Sequence, residues 1–249
     1  MKRLAILLPL LAALAPAAVA ATLISPSGSS IPENLLRIGV QFDTPLGNQL
    51  DMRHVTLTDA SGNPIENALL DIPLTSHDGK RVSILLHPGR IKTGVAPNLA
   101  VGPALHEGAT VVLLIDDPQL PQPLKKSWLV GPALSQAIDV QKWQIQAPQA
   151  GTRKPLQLAF SAALDAGSVR MIAVASPSGQ RVNGTSTLTK GEMGWQLTPT
   201  LPWRAGSYQI RVHPDLEDPQ GNRMCSAFEQ IQQSAKACDD EGTLNFSIR

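Results

Sequence analysis

The chain has 249 residues, of which 43% are hydrophobic, 16% charged and only 4% aromatic. Its 21 prolines and 19 glycines exclude a helical bundle, and its apolar content excludes a disordered chain. With 21 basic against 20 acidic side chains, the net charge is +1, so no basic field invites nucleic acid or an anionic membrane.

Lys2 and Arg3 precede an apolar run, Leu4 to Leu14, which Pro16 breaks; Ala18-Val19-Ala20 then fits the small-x-small cleavage rule. This pattern predicts a signal peptide over residues 1–20, cut before Ala21. The run is too short for a transmembrane anchor, and no cysteine follows it to carry a lipid. No later apolar stretch is long enough to span a bilayer. The mature chain is therefore expected in the periplasm or outside the cell, with no transmembrane segment. Cys225 and Cys238 agree with export. Such a pair closes in an oxidising compartment, and a loop of this size stabilises by about 3 kcal/mol in the chain-entropy picture. No third Cys or His lies near them to make a metal site.

Leu36 to Phe42 alternates apolar with small or polar residues, as a half-buried strand does, and Pro155 to Phe160 repeats the pattern. His54 to Gly62, a strand running into a glycine turn, is echoed by Met171 to Gly179. Arg81–Pro88 pairs in the same way with Gly194–Pro199, and Gly108–Ile115 with Gly206–Val212. Acidic turns, Asp116–Pro118 and Asp215–Pro219, close both series. Matching landmarks in one order predict two similar units, each an antiparallel sandwich of short strands. The first copy is longer, chiefly between Pro88 and Gly108; that insertion, Gly89–Leu105, reads as a structured loop rather than a helix. In the second copy, Ile138–Ile145 reads as the first strand, and Asn183-Gly184-Thr185 as a hairpin turn. A helical period appears only over Ser226–Ala237, between the cysteines. The expected organisation is a leader over 1–20, one sandwich over 21–136 and another over 137–249.

Phe160-Ser161-Ala162-Ala163-Leu164-Asp165, then Gly179, Trp195–Pro199, Gly206-Ser207-Tyr208 and Leu216–Asn222, in that order, resemble the SbsA-type bacterial Ig-like domain. The resemblance covers most of the second copy and, more weakly, the first. It implies tandem immunoglobulin-like β-sandwiches of an exported or surface protein, with no shared catalytic residues. The first copy is read as departing from the family pattern in having Asp43 where Ser is usual, the Pro88–Gly108 insertion and no "D..GN" turn; the second departs at Cys225–Cys238. The fold expected is thus all-β, two tandem immunoglobulin-like sandwiches, with one short helix in a C-terminal disulfide-closed loop.

No catalytic pattern stands out. His54, His77, His87, His106 and His213 show no metal spacing, and G-x-S-x-G and phosphate-loop signatures are absent. A hydrolase using His54 or His87 is the rival reading, with a polar pocket between the units. The acidic groups Asp116-Asp117, Asp215/Glu217/Asp218 and Asp239-Asp240-Glu241 read as solvated turns; calcium is the alternative. Ala21–Gly62 loosely resembles a copper-binding sandwich family whose mature N-terminal histidine is a ligand, but here the mature chain starts at Ala21. Trp195, Trp203 and Tyr208 read as core packing. No catalytic residue, metal ligand or cofactor is assigned. The expected function is non-enzymatic: an exported structural or binding protein of the cell envelope, partnered by another envelope protein or a surface glycan. Arg90, Lys92 and Asn98, on the insertion, are the expected recognition residues, and the 225–238 segment is a second candidate surface.

Overall fold

A computed structural model describes residues 21–92, 96–228 and 242–249. The expected leader, Cys238 and most of the expected 226–237 helix lie outside the described residues. Within them the chain is predominantly β.

The first unit pairs β1 (Ala21–Ser25), β3 (Arg37–Phe42), β6 (Arg81–Leu85) and β5 (Leu74–Thr75) in the order β1-β3-β6-β5. Facing it, β2 (Ser30–Pro32), β8 (Leu124–Gly131), β7 (Thr110–Ile115) and β4 (Val55–Asp59) run in the order β2-β8-β7-β4. The second unit repeats the arrangement with β9 (Gln144–Gln146), β10 (Leu156–Ala159), β13 (Gly194–Pro199) and β12 (Gly184–Thr189) in the order β12-β13-β10-β9. Its other sheet runs β11 (Ile172–Ala175), β14 (Gly206–Val212), β15 (Gly242–Ile248). The repeat landmarks of the sequence fall on equivalent strands: β3 on β10, β4 on β11, β6 on β13 and β7 on β14. The first unit adds β2, which lies parallel to β8.

Alternation explains the layers. On β3, Ile38, Val40 and Phe42 are buried while Arg37, Gly39 and Gln41 face outward. They meet Val82, Ile84, Leu113, Ile115 and Trp128 in one core. Leu156, Leu158, Trp195, Leu197, Tyr208 and Ile210 build the other. Each such side chain contributes roughly 1.5–3 kcal/mol by leaving water. Trp195 and Trp203 are buried, their indole N–H groups donating to Val169 O at 3.1 Å and Lys154 O at 2.8 Å. Tyr208 packs edge-on against Trp203, with ring centres 5.5 Å apart, and donates its hydroxyl to Arg204 O. The core reading of these aromatics is what the structure shows.

Several local expectations need correction. The insertion holds a short helix, α1 (Ala96–Val101). Pro97 falls in its first turn, where a missing N–H is tolerated, and Gly102, at φ +76, ends it by donating its N–H to Asn98 O at 2.8 Å. The strand expected over 138–145 shrinks to β9, because the Asp139 carboxylate accepts from Gln141 N and turns Val140–Lys142 into a 3-10 helix. Asn183-Gly184-Thr185 is no turn: β12 begins at Gly184, and the hairpin closes through Lys190–Met193. Glycine is required at 184, since a Cβ there would sit 2.2 Å from Thr198 O.

The first copy also possesses the turn it was expected to lack, placed after β4 rather than after β7. Asp59 Oδ1 accepts from Ser61 N and Asn63 N, and Asp59 Oδ2 from Asn63 Nδ2. Asp218, Gln220 and Asn222 reproduce these three hydrogen bonds in the second unit.

Candidate functional site

Three segments of the second unit reach into the first and form a seam. The tip of the Asp218–Asn222 turn is one: Pro219 O accepts from both Leu36 N (3.0 Å) and Arg37 N (3.1 Å), at the start of β3. Asn222 Nδ2 also donates to Leu134 O at 2.8 Å, and Asn34 holds Leu134 from the other side through Leu134 N and O. The second segment is the β12–β13 hairpin, where Lys190, Gly191 and Glu192 all have positive φ. That conformation is costly for Lys and Glu, but it delivers the Glu192 carboxylate to the first unit's N-terminal arm. There Glu192 is 3% exposed and accepts from Ser27 N at 2.8 Å and Ser25 Oγ at 3.4 Å. The third segment carries Asp165, whose carboxylate lies 3.8 Å from the Arg37 guanidinium.

Arg37 is the electrostatic centre of the seam. It is a polar strand residue, turned away from its own core, and it donates to Glu217 Oε2. Glu217 is shared with Arg223, which also reaches Asp215. Ion pairs shielded in this way are geometrically demanding, and losing one partner leaves the other charge stranded. Burial pushes the Asp165 carboxyl above its ordinary value against the pull of Arg37. Asp218 is raised to about 6, also by burial, which outweighs the N–H donors of Asn222 and Gln220. The solvated-turn expectation is corrected for Asp218 and Asp117, each 4% exposed, while Asp215 and Asp116 are exposed as expected. Asp117 accepts from Gln119 N, Gln119 Nε2 and Asp51 N, so both carboxylates serve as turn acceptors. Asp239-Asp240-Glu241 lies outside the described residues.

The insertion lies next to this seam. Arg90 is buried, and its guanidinium is taken up by three backbone carbonyls: Glu66 O, Gly102 O at 2.7 Å and Pro103 O at 3.2 Å. It pins the insertion to the first unit. Lys92 lies 4.1 Å from the centre of the Phe228 ring, a cation–π contact across to the segment leading from Cys225. Phe228 N donates in turn to Asn222 Oδ1. The two surfaces singled out from the sequence therefore meet. Asn98 lies in α1 with its Nδ2 buried and, among the described residues, without a hydrogen-bond partner. Leu99 and Val101, not singled out from the sequence, are 75% and 60% exposed on the same helix. Their signal was an apolar pair in a segment without strand alternation.

The rival sites are placed as follows. His87 Nδ1 accepts from Gly89 N at 3.0 Å and caps the turn that opens the insertion. His54 ends a 3-10 turn before β4. A cleft of about 660 Å³ runs along linker residues 133–139, Trp143, Phe160, Leu164 and Asp218, and no histidine lines it. Among the described residues, no group of three His, Cys, Asp or Glu side chains is placed to hold a metal ion. No helix among them is long and apolar enough to cross a membrane.

No protein family and no curated protein matches the chain. Solved structures that resemble it include the BSP domain of a biofilm-associated protein, at 12% identity over 80% of this chain and 27% of that one, with a TM-score of 0.26. The S-layer protein SbsC is 12% identical over 78% of this chain and 23% of its own, with a TM-score of 0.30. Native alpha-2-macroglobulin from Escherichia coli, over domains MG0-NIE-MG1, is 10% identical across 94% of this chain and 72% of that one, with a TM-score of 0.29. The chain spans about a quarter of the length of the first two. Likeness at these scores carries no functional argument.

Proposed function

We propose that the chain is an exported, non-enzymatic protein of the bacterial cell envelope. In this reading it is two tandem SbsA-type immunoglobulin-like sandwiches, divided near residue 137, held as one stiff piece. The observation that carries it is the seam, where Arg37 meets Glu217 and Asp165 while Glu192 is buried against the N-terminal arm. A hinge between freely moving domains has no use for a buried cross-unit carboxylate, whereas a spacer or presenting scaffold does. The insertion over 89–105, pinned by Arg90, presents Leu99 and Val101 as the contact surface for another envelope protein or a surface glycan.

Export, with cleavage before Ala21, belongs to the same reading. The Cys225–Cys238 disulfide belongs to this proposal; Cys225 is not a free thiol. Expression of the full chain in a bacterium, followed by intact-mass analysis of the periplasmic fraction, tests it. The expected species lacks residues 1–20 and resists thiol alkylation until reduced. A retained leader, or thiols that alkylate without reductant, contradicts it. Partner capture from envelope extract with wild type and with the insertion replaced by a short Gly-Ser turn tests the contact surface; identical partners for both overturn that assignment. Esterase, glycosidase and peptidase substrates are expected to give no turnover. Turnover abolished by His87→Ala would instead establish the hydrolase.

A further inference from the structure

The second unit carries a cationic depression that neither the seam nor the insertion uses. Its volume is about 400 Å³, within the range of small-molecule sites. Arg170, Arg181, Arg211 and His213 line it, together with Met171 and Ala173, and among the described residues no carboxylate does. The placement follows from the edge strand β11. Arg170 lies two residues before the strand, in the last turn of the 3-10 helix Ala166–Met171, and Arg211 stands opposite Ala173 in the β11–β14 register. Arg181 bridges Ala175, and His213 N donates to Met171 O at 2.8 Å. Small side chains at Ala173 and Ala175 keep the floor low, so the longer basic residues stand around it.

All four basic residues are exposed, and among the described residues none of the three arginines forms an ion pair. Arg211 Nε donates to Gln209 Oε1, which fixes the plane of its guanidinium while leaving its terminal nitrogens available. The adjacent carboxylate, Asp215, is 3.7 Å from His213 Nδ1 and is shared with Arg223. Three guanidinium groups converging on one floor, in a chain whose net charge is only +1, repel one another until an anion arrives. Guanidinium forks match the oxygens of a phosphate in pairs.

We propose that this depression is a binding site for a small phosphate-bearing anion, with the apolar floor accepting the organic part of a phosphate ester. The site is independent of the envelope-scaffold reading and stands or falls without it. Full-length protein is titrated with inorganic phosphate, glucose 6-phosphate, glucose and a single-stranded oligonucleotide at low salt, while the arginine Nε–Hε resonances are followed by NMR. Glucose 6-phosphate and phosphate are expected to shift Arg170, Arg181 and Arg211 together, with dissociation constants of about 0.1–10 mM. Glucose alone is expected to shift none of them. Arg211→Gln is expected to weaken binding about tenfold, as loss of a charge-assisted pair does. Ala173→Leu leaves every charge in place and is expected to block the ester more than free phosphate. Circular dichroism confirms that both variants fold. Tighter binding by glucose 6-phosphate than by phosphate identifies an ester site; equal binding confines the site to the phosphate group. No shift in the arginines, undiminished binding in Arg211→Gln, or much tighter binding of the oligonucleotide overturns the proposal.

Discussion

Asp59–Asn63 and Asp218–Asn222 are the same turn built twice. In each, one aspartate oxygen accepts two backbone N–H groups and the other accepts the asparagine amide, and the glycine has a φ near +85° (Gly62 +88, Gly221 +83). Yet the carboxyl of Asp59 is held below its ordinary value by those hydrogen bonds, whereas Asp218 is raised to about 6. The hydrogen bonds are alike; the surroundings are not. Asp59 faces water at the end of β4, while the other turn is pressed between Leu36, Leu134 and Phe228. A local motif fixes conformation, and its burial fixes what the motif costs and what it does.

The largest difference between the turns should appear on truncation. Asp218→Ala strands three N–H donors away from water and is expected to cost about 4 kcal/mol in urea unfolding. Asp59→Ala, whose donors turn to solvent, is expected to cost far less. Similar losses for the two would break the comparison.

Acid titration separates the turns by sign. Asp218 has a folded value above its unfolded one, so the folded chain binds the extra proton between about pH 4 and 6. Its contribution is greatest below that window and is lost as pH rises through 6, by at most about 3 kcal/mol. Asp59 runs the other way: its contribution is present above its ordinary value and is lost as pH falls through the lower folded one. Unfolding midpoints of wild type, Asp218→Asn and Asp59→Asn across pH 2–7 check this. The first variant should lose the component that weakens with rising pH.

Glycine substitution gives a smaller contrast. Gly62→Ala meets nothing within 4 Å and pays only for its backbone angle, about 1 kcal/mol. Gly221→Ala adds crowding, since the new Cβ would lie 3.1 Å from Leu36 Cδ2 and 3.2 Å from Phe228 Cδ2, and is expected to cost about 1 kcal/mol more. The smallest effect belongs outside both turns: Leu99→Ser, on an exposed helix face, should leave stability within about 0.5 kcal/mol while weakening any partner bound by the insertion.

The strands were legible because alternation is local: Leu36–Phe42 and Pro155–Phe160 each show a buried face without reference to anything distant. The seam was not. Arg37 reads as an ordinary outward residue of β3, and its partner Glu217 lies 180 positions away. Arg90 shows the same gap from the other side: a cation on a long loop suggests a ligand contact, but Glu66, Gly102 and Pro103 claim its guanidinium within the fold. The repeat of Asp-x-x-Gly-Asn was visible in the sequence at Asp59 and Asp218. Matching the two copies strand by strand hid it, because the turn follows β4 in one unit and β14 in the other. What faces such a turn is a tertiary fact, and spacing does not encode it.

The central claim is that the seam makes the two sandwiches one body. Residual dipolar couplings of backbone amides, measured on the full mature chain in a weakly aligning medium, test it directly. A single alignment tensor should fit β1–β8 and β9–β15 together in the orientation set by Arg37, Glu192 and Pro219. Two tensors of different magnitude, one for each set of strands, would show independent domains on a flexible linker and contradict the account.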